Sequence, residues 1–252
     1  MRIIDDLLSH IEPSPSRHSC AIVPFWGSGV DGRAFAQAGL DVIGADRCRA
    51  LVTAHHAVAK APEPLVEDLR SLALAAARAP EEHYYGVRDG GIPLPTARRF
   101  FYLVGSSFNG LWRENSDGGH NVPFGRPFSF DAEAIRTASA QMARVTLSVA
   151  RWRDTLSDVP KGALVYSDPP YLCDFTRYGD DTFGVEETRD LVETLASLAG
   201  RGRDVWMSNA PRAEGIVRKV CPSATIHRIA ARRSIAADGG ARGDVSEILV
   251  HF

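Results

Sequence analysis

Apolar positions along the chain follow two periods. Residues 20–24, CAIVP, form a short apolar run that ends at Phe25-Trp26-Gly27-Ser28-Gly29. VDGRAFAQAG follows at helical spacing, so that Val30, Ala34, Phe35 and Ala38 share a face, and Gly39 is placed to stop the helix. LDVIGAD is a second run with strand character and closes on Asp46. Strand, glycine turn, helix, strand, acid is the layout of a nucleotide-binding βαβ unit. Farther on, LVEDLRSLALAAARA repeats apolar residues three and four apart and predicts a helix, whereas the turn-rich segment around GGHNVPFGRP suits a β-hairpin. In GALVYSDPPYL, Ala163 to Ser167 read as a buried strand cut short by Asp168-Pro169-Pro170-Tyr171. Two prolines lack ladder donors and fix φ, so the chain leaves the sheet there.

Composition narrows this little. With 44% apolar and 24% charged residues, the 252-residue chain reads as a soluble globular protein, one domain plus an insertion or two small domains. No apolar run approaches the ~20 residues of a membrane helix, and the opening MRIIDDLLSH lacks the apolar stretch of a signal peptide. Cys20, Cys48, Cys173 and Cys221 are scattered, which predicts reduced thiols in the cytoplasm rather than a zinc or redox motif. His55 and His56 stand without further ligand spacing, so no metal is expected. Charge balances at 29 basic against 31 acidic side chains, but it is unevenly spread. Nine basic residues between Arg201 and Arg242 face only Asp204, Glu214 and Asp238, and a second cluster gathers Arg98, Arg99, Arg113 and Arg126. Such a face is compatible with nucleic acid, although charges of this kind are more often only a solvated surface.

The chemistry lies in the two interruptions. Gly27 and Gly29 allow close backbone approach, and Asp46 can accept from two ribose hydroxyls. The turn departs from the dinucleotide fingerprint; F-x-G-x-G is the form seen in enzymes that use S-adenosylmethionine, which has no phosphates. At the second interruption, Asp168 and the carbonyl of Pro169 could each accept an N–H of an exocyclic amine. That would hold the nitrogen near-tetrahedral with its lone pair aimed at a sulfonium methyl group. Tyr171 would stack on the base, first flipped out of its duplex.

Together these motifs resemble the α-group of amino-methyltransferases, and within it the Dam-type (D12 class) DNA adenine-N6 methyltransferases. RRFFYLVGSSFNGLWRENSDGGHNVPFGRPF resembles that family's recognition segment, DVWMSNAP the strand after the catalytic motif, and RRSIAADGGARGDVSEILVHF its closing hairpin. The resemblance implies an α/β fold. A Rossmann-like, mostly parallel sheet with a final antiparallel strand would span 1–53 and 133–252. A mainly helical target-recognition domain carrying a β-hairpin would be inserted at 54–132. It implies Phe25, Gly27, Ser28, Gly29, Asp46 and Asp168 against S-adenosylmethionine, with S-adenosylhomocysteine as product. Asp168, Pro169, Pro170 and Tyr171 would act on the target adenine. It also implies double-stranded DNA as partner, met by Asn109, Leu111, Arg113, Asn121, Pro123, Arg126, Arg232, Arg233 and Ser234, by a monomer or weak dimer. Arg113 would read guanine and Leu111 would wedge into the base stack, although both have plainer readings as a phosphate contact and a packed side chain.

The sequence also departs from the family. MRIIDDLLSH looks like what normally follows an initial lysine- and glycine-bearing segment, the hairpin passes directly from Gly125-Arg126 into Pro127-Phe128, and Val104-Gly105 replaces a polar, basic pair. Two other readings stay open at this point: a DNA-binding protein that retains the fold without catalysis, and transfer to cytosine N4.

Overall fold

The computed structural model describes residues 2–171, 183–231 and 245–252. In chain order the elements are α1 (Arg2–Ile11), β1 (Ala21–Val23), α2 (Val30–Gln37), β2 (Val42–Asp46), α3 (Arg49–Lys60) and α4 (Pro62–Ala76). Next come α5 (Pro80–Arg88), α6 (Thr96–Ser106), α7 (Ala132–Gln141), β3 (Val145–Val149), α8 (Trp152–Thr155) and β4 (Leu164–Ser167). The chain continues through α9 (Val185–Gly200), β5 (Asp204–Asn209), α10 (Glu214–Val220), β6 (Thr225–Ala231) and β7 (Val245–His251).

It divides into two units, residues 1–47 with 144–252, and residues 48–143. The first is built on a sheet of order β3-β2-β1-β4-β5-β7-β6. β3, β2, β1, β4 and β5 run parallel, and β7 is antiparallel to both its neighbours. Strand alternation sorts the core by face. Ile22, Val165, Val205, Met207, Ile248 and Val250 pack with Leu191, Leu195 and Val217 of α9 and α10. On the other face the ring of Phe35 in α2 meets Tyr166 edge-on at 5.6 Å, and His10 of α1 meets His227. The α2 stripe differs from the expected one. Val30 is exposed, while Gly32, Ala34, Phe35 and Ala36 are buried. Gly39, at φ 97°, ends the helix as the sequence suggests.

At the opposite, amino-terminal edge of the parallel strands, Asp204 forms a staple. Its two oxygens lie 2.9 Å from His18 Nε2 and 3.0 Å from His251 Nε2, and Trp206 Nε1 donates to it at 2.7 Å. The His251 ring stacks flat on Trp206 at 4.0 Å. Asp204→Ala strands these donors and is expected to cost about 2–4 kcal/mol of stability. A urea denaturation midpoint would register it.

The second unit is helical. α3, α4, α6 and α7 pack on one another, and Arg136 of α7 grips Glu63 of α4 through two bonds of 2.7 and 2.8 Å. Its core is Leu72, Ala76, Tyr84, Val87, Tyr102 and Leu103. The unit extends beyond 54–132 at both ends because α3 and α7 associate with these helices. The expected hairpin is not a regular ladder: residues 107–124 pair antiparallel only through isolated bridges, Ser107 with Phe124 and Glu114 with His120. Pro123, between the two bridges, has no N–H to offer a ladder, and the turn at Ser116 and Asp117 closes the segment beyond the Glu114–His120 bridge.

Candidate active site and recognition segment

β1 delivers the chain into the glycine turn with Trp26 pointing inward, 2% exposed. Its backbone N–H donates to the Ala45 carbonyl at 2.8 Å. The indole fills the space that side chains at Gly29, Gly32 and Gly44 would need: a Cβ on Gly29 would lie 2.6 Å from the ring, and one on Gly32 or Gly44 would lie closer still. Gly27 and Gly29 have left-handed φ of 49° and 71°, conformations that favour glycine. The Asp46 Oδ2 accepts from Gly27 N–H at 3.0 Å, so the acid at the end of β2 holds the turn directly. Ser28 is exposed and its carbonyl accepts from Arg33 at 2.8 Å. Phe25 is half-buried, edge-on to Phe183 at 5.6 Å.

β4 ends next to that turn, being paired in parallel with β1. Tyr166 of β4 and Asp168, the residue just past its end, project to the same face by alternation, and on α2 Asp31 lies one turn before Phe35. The Phe35–Tyr166 contact therefore brings Asp31 level with Asp168 at the carboxyl edge of the sheet. Burial pushes the Asp31 carboxyl up to about 6. Burial, reinforced by the charge of Asp31, pushes Asp168 up to about 7, with Glu247 adding to the rise and the Tyr171 hydroxyl opposing it. The Asp168 Oδ1 is sealed from solvent and has no hydrogen-bond partner among the described residues. Pro169 is buried and Pro170 exposed. The Tyr171 hydroxyl donates to Glu247 Oε2 of β7 at 3.1 Å, which fixes the ring beside Asp168. Burial and the two neighbouring carboxylates keep this phenol protonated.

In the helical unit the exposed turn Phe108-Asn109-Gly110-Leu111 carries Asn109 at a left-handed φ of 55°, with Phe108 and Leu111 51% and 49% exposed. A Cβ on Gly125 would come within 2.6 Å of the Phe108 backbone, so the two arms of the segment touch only because residue 125 is glycine. Arg113 is held: its Nε donates to Asn121 Oδ1 at 2.6 Å and its Nη2 to the Asn121 carbonyl at 3.3 Å. Arg126 Nε donates to the Gly105 carbonyl at 3.1 Å, and Pro123 is exposed. Arg232, Arg233 and Ser234 lie outside the described residues. Elsewhere the basic stretch is partly compensated, since Glu214 takes both Arg218 and Arg228.

Three site residues escaped the sequence reading. Asp31 stands two positions beyond the glycine turn and Glu247 on the final strand; only tertiary pairing brings either to Asp168. Trp26 lay inside the motif, and the glycines at 32 and 44, each opposite a bulky ring, were its signal. Among the described residues no group of His, Cys, Asp or Glu could hold a metal ion, and no helix is long and apolar enough to cross a membrane.

A mostly parallel sheet with a glycine turn on one strand and Asp-Pro-Pro-Tyr at the end of its neighbour defines a methyltransferase catalytic domain. The chain matches the D12 class N6 adenine-specific DNA methyltransferases over residues 2–235 and belongs to that family. It is 28% identical to a DNA adenine methylase of Escherichia coli (strain K12) over 263 residues, covering 99% of this chain and 91% of the relative. The same identity and coverage hold for a DNA adenine methylase of Salmonella typhi. A Type II methyltransferase, M1.LlaDCHI of Lactococcus lactis subsp. cremoris, is 29% identical over 266 residues, 97% of this chain and 90% of its own. The protein is thus an adenine-specific DNA methyltransferase, and catalysis at N6 supersedes the binding-only and cytosine readings.

Proposed function

We propose that the chain transfers the methyl group of S-adenosylmethionine to N6 of an adenine flipped out of double-stranded DNA, at sites selected by residues 107–126. The observation that carries this reading is Asp168: a sealed acceptor oxygen without a partner, at the sheet edge beside the glycine turn. The donor set fits the cofactor, whose sulfonium and ammonium are cationic, because burial has gathered the like charges of Asp31 and Asp168. Gly27 and Gly29 would lie beneath its methionine part and Asp46, already fixed to Gly27, would take the ribose. When bound, the group supplies an electrophilic methyl. Asp168 and the Pro169 carbonyl would accept the two N6 hydrogens and orient the lone pair. Tyr171, anchored through Glu247, would stack on the base.

Asn109, Leu111 and Arg113, with Asn121, Pro123 and Arg126, would meet the duplex, and Arg232, Arg233 and Ser234 its phosphates. The protein would work as a monomer or weak dimer in the cytoplasm of a bacterium or of a phage's host. The test is incubation with labelled S-adenosylmethionine and unmethylated duplex DNA, followed by digestion to nucleosides and mapping of the product. N6-methyladenine at a defined sequence supports the reading; label at random adenines removes the site selection, and no label removes the cofactor assignment. On the mapped site, Arg113→Ala is expected to lower discrimination against a one-base-pair change by 1–3 kcal/mol, roughly 5- to 150-fold. Competition between the two duplexes measures it, and an unchanged ratio leaves Arg113 a phosphate contact.

A further inference from the structure

Behind the exposed turn lies a buried polar set that the catalytic reading does not use. Tyr84 of α5 is fully buried, and its hydroxyl donates to the Val122 carbonyl at 2.8 Å. The Ser107 hydroxyl donates to the Leu103 carbonyl at 2.5 Å. Both hydrogens are thereby committed, yet both oxygens also face His120 Nε2, at 3.1 and 3.0 Å. The two hydroxyls also face each other at 3.0 Å, and with their hydrogens on the carbonyls the arrangement is satisfied by the tautomer that carries its hydrogen on Nε2 and donates to the pair, leaving Nδ1 as a bare lone pair. Nδ1 is indeed sealed from solvent with no partner, and Trp112 covers the ring at 4.7 Å. Burial, with Arg99, Arg88 and Arg113 nearby, pushes the imidazole down to about 4, so the neutral tautomer persists at working pH.

The set joins both arms of the segment at telling places. Ser107 immediately precedes Phe108-Asn109-Gly110-Leu111, whose Phe108 N–H is bonded to the Pro123 carbonyl at 2.9 Å. His120 immediately precedes Asn121, the residue that grips Arg113. We propose that His120, held by Tyr84 and Ser107, is a positioning residue for sequence discrimination. It fixes the left-handed turn at Asn109 and the Arg113–Asn121 pair in one register without itself touching DNA. This rests on the reading of residues 107–126 as the recognition segment.

The test compares His120→Phe, which keeps the ring volume and removes the Nε2–H, with His120→Gln, whose amide can present an N–H at the same reach. Tyr84→Phe, which deletes one hydroxyl only, serves where His120→Phe fails to fold. The readouts are kcat, KM for the duplex, KM for S-adenosylmethionine, and the kcat/KM ratio between the mapped duplex and a one-base-pair variant. The expected result for His120→Phe and Tyr84→Phe is a rise of about tenfold in duplex KM and a discrimination ratio at least tenfold lower. The expected kcat and cofactor KM are unchanged, and His120→Gln recovers most of the ratio. A ratio equal to wild type, or His120→Gln as poor as His120→Phe, overturns the proposal. Arg113→Ala in the same assay separates the two ideas. If it too leaves duplex KM and discrimination unchanged, the recognition reading fails; if it alone lowers discrimination, only the role of His120 falls.

Discussion

Asp168→Ala leaves a folded protein that transfers methyl groups more than about 10³-fold more slowly, because the sealed acceptor beside the glycine turn is gone. Single-turnover methylation measures this, and retention of even a tenth of the rate would remove Asp168 from the chemistry. The same carboxylate sets a pH dependence. Its folded value is raised to about 7 and that of Asp31 to about 6, whereas both are near 4 in an unfolded chain. A carboxyl raised by folding favours the native state while protonated, so this contribution is complete below about pH 4 and is lost as pH rises through 6 and 7. The ligand-free protein should therefore melt higher at pH 5.5 than at 8.5, by an amount on the order of a few kcal/mol before other groups are counted. A bound cation reverses the sign, since it needs the ionised pair. S-adenosylmethionine binding and kcat/KM should both climb with pH, with a midpoint near 7 for the coupled pair. A flat kcat/KM from pH 5.5 to 8.5 would sink the assignment.

Trp26→Ala is expected to lose about 3–5 kcal/mol of stability, the cost of an indole-sized void in a rigid surround. Glycine at 29, 32 and 44 means that these three neighbours offer no side chain to fill it. Denaturant unfolding followed with and without S-adenosylmethionine distinguishes two outcomes. Loss of stability with weakened cofactor binding marks the indole as the support of the turn; loss of stability alone marks it as core only. Trp26→Phe should recover much of the stability.

The βαβ layout was legible because period and punctuation coincide: a buried run ends at glycines, a helical stripe ends at Gly39, and the next run ends on an acid. Asp168 was legible because two prolines stop a strand abruptly. What escaped was set by contacts between distant elements. Asp31 acquires its neighbour only through the packing of Phe35 on Tyr166, and Glu247 through the antiparallel return of β7 beside β5. In residues 107–126 the turn falls at Ser116 and Asp117, ahead of the Gly118-Gly119 pair, while Pro123 and Gly125 lie in the returning arm. The bonds that hold this segment, from Tyr84 and Ser107 to His120, join residues whose separation in sequence carries no period.

The helical unit is an excursion between β2 and β3, two strands that lie side by side in parallel register, Val42 opposite Val145 through Asp46 opposite Val149. Any parallel neighbour requires a crossover of a dozen or more residues, and each doubling of that length adds only ~0.6 kcal/mol of closure entropy. Exchanging one insert for another of different size thus perturbs the strand pairing that carries Asp46 by little more than a single weak contact would. The proposed role of this unit in target choice then implies that specificity and chemistry are separately heritable: a lineage would acquire a new DNA specificity by recombination at two loop positions while the methyl-transfer machinery passes unchanged.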